Sequence, residues 1–213
     1  MLSGSRRSFT ALALAAGLSL LLGCIAPSTA AADDKELAQA LRAGGLVIVL
    51  RHGATRTDQV DAEPVDFDNF SAQRNLSDKG KAAARAFGEA LRQVGAPVGK
   101  VYTSQFNRAY ETATLAGFKD IGKTSDLTYT GPSKSPEVNS SRTEAFRKLL
   151  GIAPSPGTNT VLVTHAPNII AALGTDWSEV KEGEASIFRP INGSYTLLAR
   201  VQIDEWPRLA AAK

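Results

Sequence analysis

Two short apolar runs, each followed closely by a histidine, constrain the fold of this chain more than any other feature. Residues 46–50 (LVIVL) and 160–164 (TVLVT) have the continuous apolar and β-branched character of strands buried on both faces of a parallel sheet. The predicted helices include Asp34–Ala43, one capped by Ser77, and one that begins at the capping-box residues 141–144. This alternation predicts an α/β fold with a mostly parallel central sheet.

The chain has only two histidines, and both stand at the ends of these predicted strands. His52 follows the first run after a single arginine, and His165 follows the second run directly. Ligands of open α/β sheets bind beyond the carboxyl ends of the strands, so we expect the two imidazoles to lie side by side. The alternative is that each is an ordinary loop or core histidine.

Two arginines accompany the histidines and indicate what the site binds. Arg51 precedes His52, and Arg108 lies in the first turn of a helix that follows a third predicted strand. Guanidinium groups repel a divalent cation but bind phosphate oxygens in pairs, and a helix N-terminus also favours anions. We therefore expect an anion site, above all for phosphate, with no metal and no other cofactor.

Four segments, in order, resemble the histidine phosphatase superfamily, the phosphoglycerate-mutase-like proteins with an RHG motif. They are residues 50–55 (LRHGAT), 74–80 (RNLSDKG), 104–112 (SQFNRAYET) and 161–168 (VLVTHAPN). The resemblance spans nearly all of the chain after the N-terminal segment. It implies a three-layer α/β/α fold around the mostly parallel sheet.

The resemblance also implies a role for each site residue. His52 would be the nucleophile that accepts the phosphoryl group, while Arg51, Arg108 and His165 would bind its oxygens and stabilise the transition state. The implied substrate is a small-molecule or sugar phosphomonoester.

The acid that protonates the leaving group has no clear position in this sequence. Many family members carry it between the arginine helix and the second histidine, but their usual motif is missing between residues 126 and 144. Candidates are Asp126, Glu137 and Glu184, and we favour Glu184 because it precedes a predicted strand edge. The alternative for each is a solvated surface acid.

An irregular acidic loop, residues 55–75, follows the RHG motif. If it forms one wall of the pocket, it should disfavour highly anionic substrates; the alternative is a solvated surface loop. Its acids are Asp58, Asp61, Glu63, Asp66 and Asp68.

The sequence of residues 1–32 differs from the rest of the chain and predicts export. Arg6 and Arg7 precede an apolar run and then small residues, a pattern that is typical of a secretory signal. The apolar run has about twelve residues and is too short for a spanning helix, which needs roughly twenty. Residues 33–213 are then a single exported domain, in a bacterial context a periplasmic one. The paired arginines resemble a twin-arginine signal.

Cys24 leaves two interpretations of this segment open. Residues 21–24 (LLGC) resemble a lipobox, which would make Cys24 the lipid-modified N-terminus and a membrane anchor. Cleavage near Ala30 or Ala32 would instead remove the cysteine together with the signal.

The charge balance argues against a nucleic-acid-binding protein, and the context of one short decoy motif argues against a nucleotide-binding protein. Of the 24 basic residues, two lie in the signal, which leaves 22 against 21 acidic ones and no general attraction to nucleic acid. Residues 117–124 fit the nucleotide-binding pattern G-x-x-x-x-G-K-[ST], but no strand is predicted before them and little helical character follows.

We therefore predict an exported, metal-independent phosphomonoester hydrolase with a phosphohistidine intermediate on His52. The alternative is a non-catalytic exported module that binds phosphorylated or sulfated ligands on the same fold. A phosphoglycerate-type mutase is less expected, because an exported protein would not meet that glycolytic substrate.

Overall fold

A six-stranded mixed sheet forms the centre of the chain. The computed structural model describes Met1, residues 33–128 and residues 136–212, so the predicted signal and Cys24 lie outside the described residues. The strands are β1 (Val47–Arg51), β2 (Val98–Thr103), β3 (Ile121–Lys123), β4 (Asn159–Thr164), β5 (Ala185–Ile191) and β6 (Ser194–Val201).

The strand order is β3-β2-β4-β1-β5-β6, and only β5 runs against the other five. The predicted α/β fold with a mostly parallel sheet is therefore confirmed. The short edge strand β3 runs through the decoy motif, and a 3-10 turn at Ser125–Leu127 follows it, so the motif does not open a helix.

Helices cover both faces of the sheet and give the three predicted layers. The apolar core on one face contains Ile48 and Leu50 of β1, and the core on the other face contains Val47 and Val49. Helices α1, α2, α3 and α6 pack on the first face, and α4 and α5 pack on the second. Their bounds are α1 (Asp34–Ala43), α2 (Asp78–Val94), α3 (Asn107–Leu115), α4 (Pro136–Gly151), α5 (Ala166–Leu173) and α6 (Trp206–Ala211).

The helix starts show one correct prediction and one error. Helix α2 begins as predicted, because the Ser77 side chain accepts a hydrogen bond from the Gly80 amide. Helix α4 begins at Pro136, so the predicted start at residues 141–144 is wrong. A proline suits a first helical position, where its missing N–H has no intrahelical partner to lose. None of the described helices is both long and apolar enough to span a bilayer.

Candidate active site

Three adjacent strands bring the predicted site residues to one edge of the sheet. Strand β1 ends at Arg51 and delivers His52, its neighbour β4 delivers His165, and β2 on the other side of β4 leads into α3, which carries Arg108. The imidazoles of His52 and His165 lie side by side, with ring centroids 5.0 Å apart. The strand ends therefore juxtapose two histidines and two arginines, as expected from their positions in the sequence.

The proton of the His52 imidazole is fixed by a backbone carbonyl. Nδ1 of His52 lies 2.7 Å from the carbonyl oxygen of Gly53. Because a carbonyl oxygen only accepts, Nδ1 carries the hydrogen and Nε2 of the neutral ring keeps its lone pair. The hydrogen bonds among the described residues engage His52 through Nδ1, so the lone pair of Nε2 is available for nucleophilic attack.

Burial and neighbouring cations keep both histidines neutral. Burial, followed by the positive charges of Arg108, Arg51 and Arg74, lowers the pKa of His52 to about 3. Burial and the neighbouring His52, together with the same arginines, also hold the pKa of His165 well below its usual value. At neutral pH the site therefore contains two uncharged imidazoles within a positive field.

These pKa shifts predict that neither histidine signal titrates between pH 8 and pH 5. Proton NMR of the imidazole C–H groups measures this directly, since the chain contains only two histidines. The denatured protein is the control, and its signals should titrate near about 6.5. A folded-state titration of the His52 signal near that value would contradict the buried, neutral site.

Arg108 is held almost completely buried above an aromatic ring. Its guanidinium carbon lies 4.0 Å from the ring centroid of Phe106, and Phe106 in turn contacts the edge of His165. The Nε atoms of Arg108 and Arg51 are buried and lack hydrogen-bond partners within the described residues. Phosphate oxygens are acceptors of the kind that such donors bind.

Arg51 and His165 are each positioned by a further contact. Nη1 of Arg51 donates to the Val180 carbonyl at 2.6 Å, and Nη2 lies 3.6 Å from Glu182. Nε2 of His165 is 2.7 Å from the Ser104 hydroxyl. These bonds fix the direction of both side chains.

Glu184, the favoured candidate for the acid, is held by hydrogen bonds within the fold. Its buried carboxylate accepts hydrogen bonds from Arg200 and Gln202, each at 2.6 Å, and from the Lys181 amide at 2.9 Å. Burial raises the pKa of Glu184, but these hydrogen bonds outweigh it and the net pKa is lowered. These contacts favour a structural role for Glu184 over that of the proton donor.

The other two acid candidates, Asp126 and Glu137, stay predictions. Asp126 lies in the 3-10 turn after β3, and Glu137 is exposed at the start of α4. Among the described contacts, none joins Asp126 to the histidines or arginines of the site.

Two site residues, Asp61 and Arg74, were not assigned a role from the sequence. Oδ1 of Asp61 lies 2.9 Å from Nη1 of Arg108 and accepts a hydrogen bond from the Arg74 amide at 2.9 Å. The Arg74 guanidinium is close enough to lower the pKa of both histidines. No sequence periodicity marks either residue, because both lie in the irregular loop of residues 55–75.

An open cavity of about 880 Å³ lies next to the chain segments that carry the site residues, although the two histidines, Arg51 and Arg108 do not line it. Its wall includes Ala54, which follows Gly53, and Asn107, which precedes Arg108. It also includes Glu182, which pairs with Arg51. The loop of residues 55–75 and the first turn of α2 complete it. The acidic loop therefore lines a pocket, as one of its two interpretations required.

The described residues contain no group of three or more His, Cys, Asp or Glu side chains that could hold a metal ion. The buried charges of the site are guanidinium groups, which are suited to an anion.

Comparison with known proteins adds one sequence match. The profile of the histidine phosphatase superfamily (branch 1) matches residues 47–128, which include His52 and Arg108 but not His165. No curated protein matches the chain.

Solved structures match most of the chain at low identity. The protein histidine phosphatase SixA, solved with tungstate, has a TM-score of 0.53 at 16% identity, covering 75% of this chain and 98% of its own. An open reading frame product of Mycobacterium tuberculosis has a TM-score of 0.51 at 17% identity, with 73% and 96% covered. A mycobacterial glucosyl-3-phosphoglycerate phosphatase, solved with VO3, has a TM-score of 0.50 at 17% identity, with 72% and 97% covered. Similarities at this identity show a shared fold.

Proposed function

We propose that this chain, whose residues 47–128 match the histidine phosphatase superfamily (branch 1), hydrolyses phosphomonoesters through a phosphohistidine intermediate on His52. The observation that carries the proposal is the unprotonated Nε2 of His52 beside the buried guanidinium of Arg108. A neutral imidazole in a positive field is a competent nucleophile toward a phosphoryl group.

In the first step Nε2 of His52 attacks phosphorus in line with the leaving oxygen. The N–P bond forms as the P–O bond breaks, and the electron pair of the broken bond stays on the leaving oxygen, which takes a proton from water or an acid. We assign Arg51, Arg108 and His165 to the non-bridging oxygens, since His165 lies next to His52 and the buried Nε atoms of both arginines lack partners among the described residues. Their donors stabilise the charge that develops there.

In the second step water attacks the phosphoryl group on His52. The N–P bond breaks, its electron pair returns to Nε2, and orthophosphate leaves after the water has lost a proton. His52 is again neutral, with its Nδ1 hydrogen still on the Gly53 carbonyl. We propose that this chemistry needs no metal ion, because two guanidinium groups supply the positive charge.

The cavity next to the site is the proposed place for the leaving group. Its wall mixes both charges; the charged residues are Arg56, Lys79, Lys81, Asp58, Asp78, Glu111 and Glu182. A polar pocket open to solvent suits a small-molecule or sugar phosphomonoester. The oxyanions in the two related structures, tungstate and VO3, support an oxyanion site in this fold.

Hydrolysis of a generic aryl phosphate tests this function against the non-catalytic binding module. An aryl leaving group needs no acid, so the purified folded protein should release orthophosphate even without an assigned proton donor. Addition of a chelator should leave the rate unchanged. Orthophosphate binding without any hydrolysis would favour the binding module and contradict the enzyme.

We propose export as well, on the sequence of residues 1–32 alone. The protein would be periplasmic, released after cleavage near Ala30 or Ala32 or anchored through a lipid on Cys24. Mass spectrometry of the mature N-terminus in cells distinguishes the two forms.

A further inference from the structure

The carboxylate of Asp61 binds the guanidinium of Arg108, the group that the proposed reaction needs for phosphate. Its Oδ1 is 2.9 Å from Nη1 of Arg108, and the Arg108 side chain is only 4% exposed. Few other groups can therefore reach this cation. A phosphoryl group bound at Arg108 would bring its negative charge close to that of Asp61.

The position of Asp61 is determined by several contacts of its loop. The Ala62 amide donates to the Ala72 carbonyl at 2.9 Å, and Phe67 packs on Phe106 with ring centroids 5.1 Å apart. The loop is thus fastened to the aromatic ring on which Arg108 stacks. These contacts fix the loop in place, and with it the position of the Asp61 carboxylate.

Oδ1 of Asp61 is an acceptor in both of its described hydrogen bonds. It accepts from Nη1 of Arg108 and from the Arg74 amide. Asp61 does not line the cavity proposed for the leaving group, so its position is not that of a proton donor.

We propose that Asp61 is a specificity-determining residue that sets the charge preference of the phosphate site. Its carboxylate competes with phosphoryl oxygens for Arg108 and repels further negative charge. The inference rests on the proposed function and narrows its substrate class to phosphomonoesters whose leaving group is neutral or cationic. It also means that orthophosphate, the product, is bound weakly and is released readily.

The test is calorimetric binding of orthophosphate to the wild type, to Asp61→Asn and to Asp68→Asn. Asparagine has the shape of aspartate and keeps an oxygen for the Arg74 amide, so the loop should fold as before. Asp68 belongs to the same loop, is exposed and does not line the cavity, so its variant is a control for an equal loss of charge. We expect Asp61→Asn to bind orthophosphate about tenfold more tightly, since a unit charge within a few ångströms of a buried site has an effect of this order, and Asp68→Asn to match the wild type.

Equal affinity of the wild type and Asp61→Asn would overturn the inference while leaving the proposed function intact. Tighter binding by Asp61→Asn without hydrolysis by any of the three proteins would support the inference and contradict the proposed function. As a second readout, Asp61→Asn should gain relative kcat/KM on an aryl phosphate that carries a carboxylate, compared with its uncharged parent. A fall in kcat on an alkyl phosphate with unchanged orthophosphate affinity would instead identify Asp61 as the proton donor and overturn the proposal.

Discussion

Replacing His52 by alanine is expected to reduce hydrolysis of an aryl phosphate by at least about a thousandfold, because the variant has no nucleophile to carry the phosphoryl group. Nε2 of His52 is the unprotonated ring nitrogen at the junction of β1, β4 and the guanidinium groups. No other histidine can replace it, since Nε2 of His165 is bonded to Ser104.

The His52→Ala variant should keep its fold and its affinity for orthophosphate. The buried imidazole is neutral and, among the described contacts, hydrogen-bonds to its neighbour Gly53, so its removal breaks no ion pair. Arg51 and Arg108 remain to bind the anion. Thermal unfolding and orthophosphate calorimetry provide the controls, and an activity within tenfold of wild type would mean that His52 is not the nucleophile.

Replacing Arg108 by alanine is expected to lower kcat/KM by about a hundredfold to a thousandfold, because its guanidinium is the most deeply buried cation placed to stabilise the transition state. The expected loss in kcat/KM is larger than the removal of one positive charge alone would cause. Asp61, which now pairs with Arg108, would remain unpaired next to the phosphate position.

Two further variants separate these effects. Arg56→Ala removes an exposed guanidinium from the cavity wall and should leave kcat/KM within about threefold, since exposed pairs contribute little. Asp61→Asn added to Arg108→Ala should restore part of the lost orthophosphate affinity, because it removes the unpaired carboxylate. Arg108→Ala with near wild-type kcat/KM would contradict the role of this arginine.

The positions of the four site residues follow from local sequence patterns. Continuous apolar runs identify β1 and β4, and the residue after each run must lie at the carboxyl edge of a parallel sheet. Arg108 lies one residue into the helix after β2, at the same edge. Strand–helix alternation and residue type were therefore sufficient to predict their proximity.

The contacts of the acids could not be predicted in this way. Asp61 reaches Arg108 through a loop without periodicity, whose path depends on tertiary contacts such as Phe67 on Phe106. The ion pair of Glu184 was missed for a similar reason, because its partner Arg200 lies on β6, which pairs with β5 only after folding. Sequence position placed these acids near the sheet but did not identify their partners.

Trapping the intermediate tests the central claim most directly. The enzyme is denatured in alkali during turnover of an aryl phosphate, digested, and analysed by mass spectrometry for phosphorylated peptides. We expect an acid-labile, alkali-stable phosphoryl group on His52 in the wild type and none in His52→Ala. A phosphoryl group that maps to any other residue would contradict the mechanism.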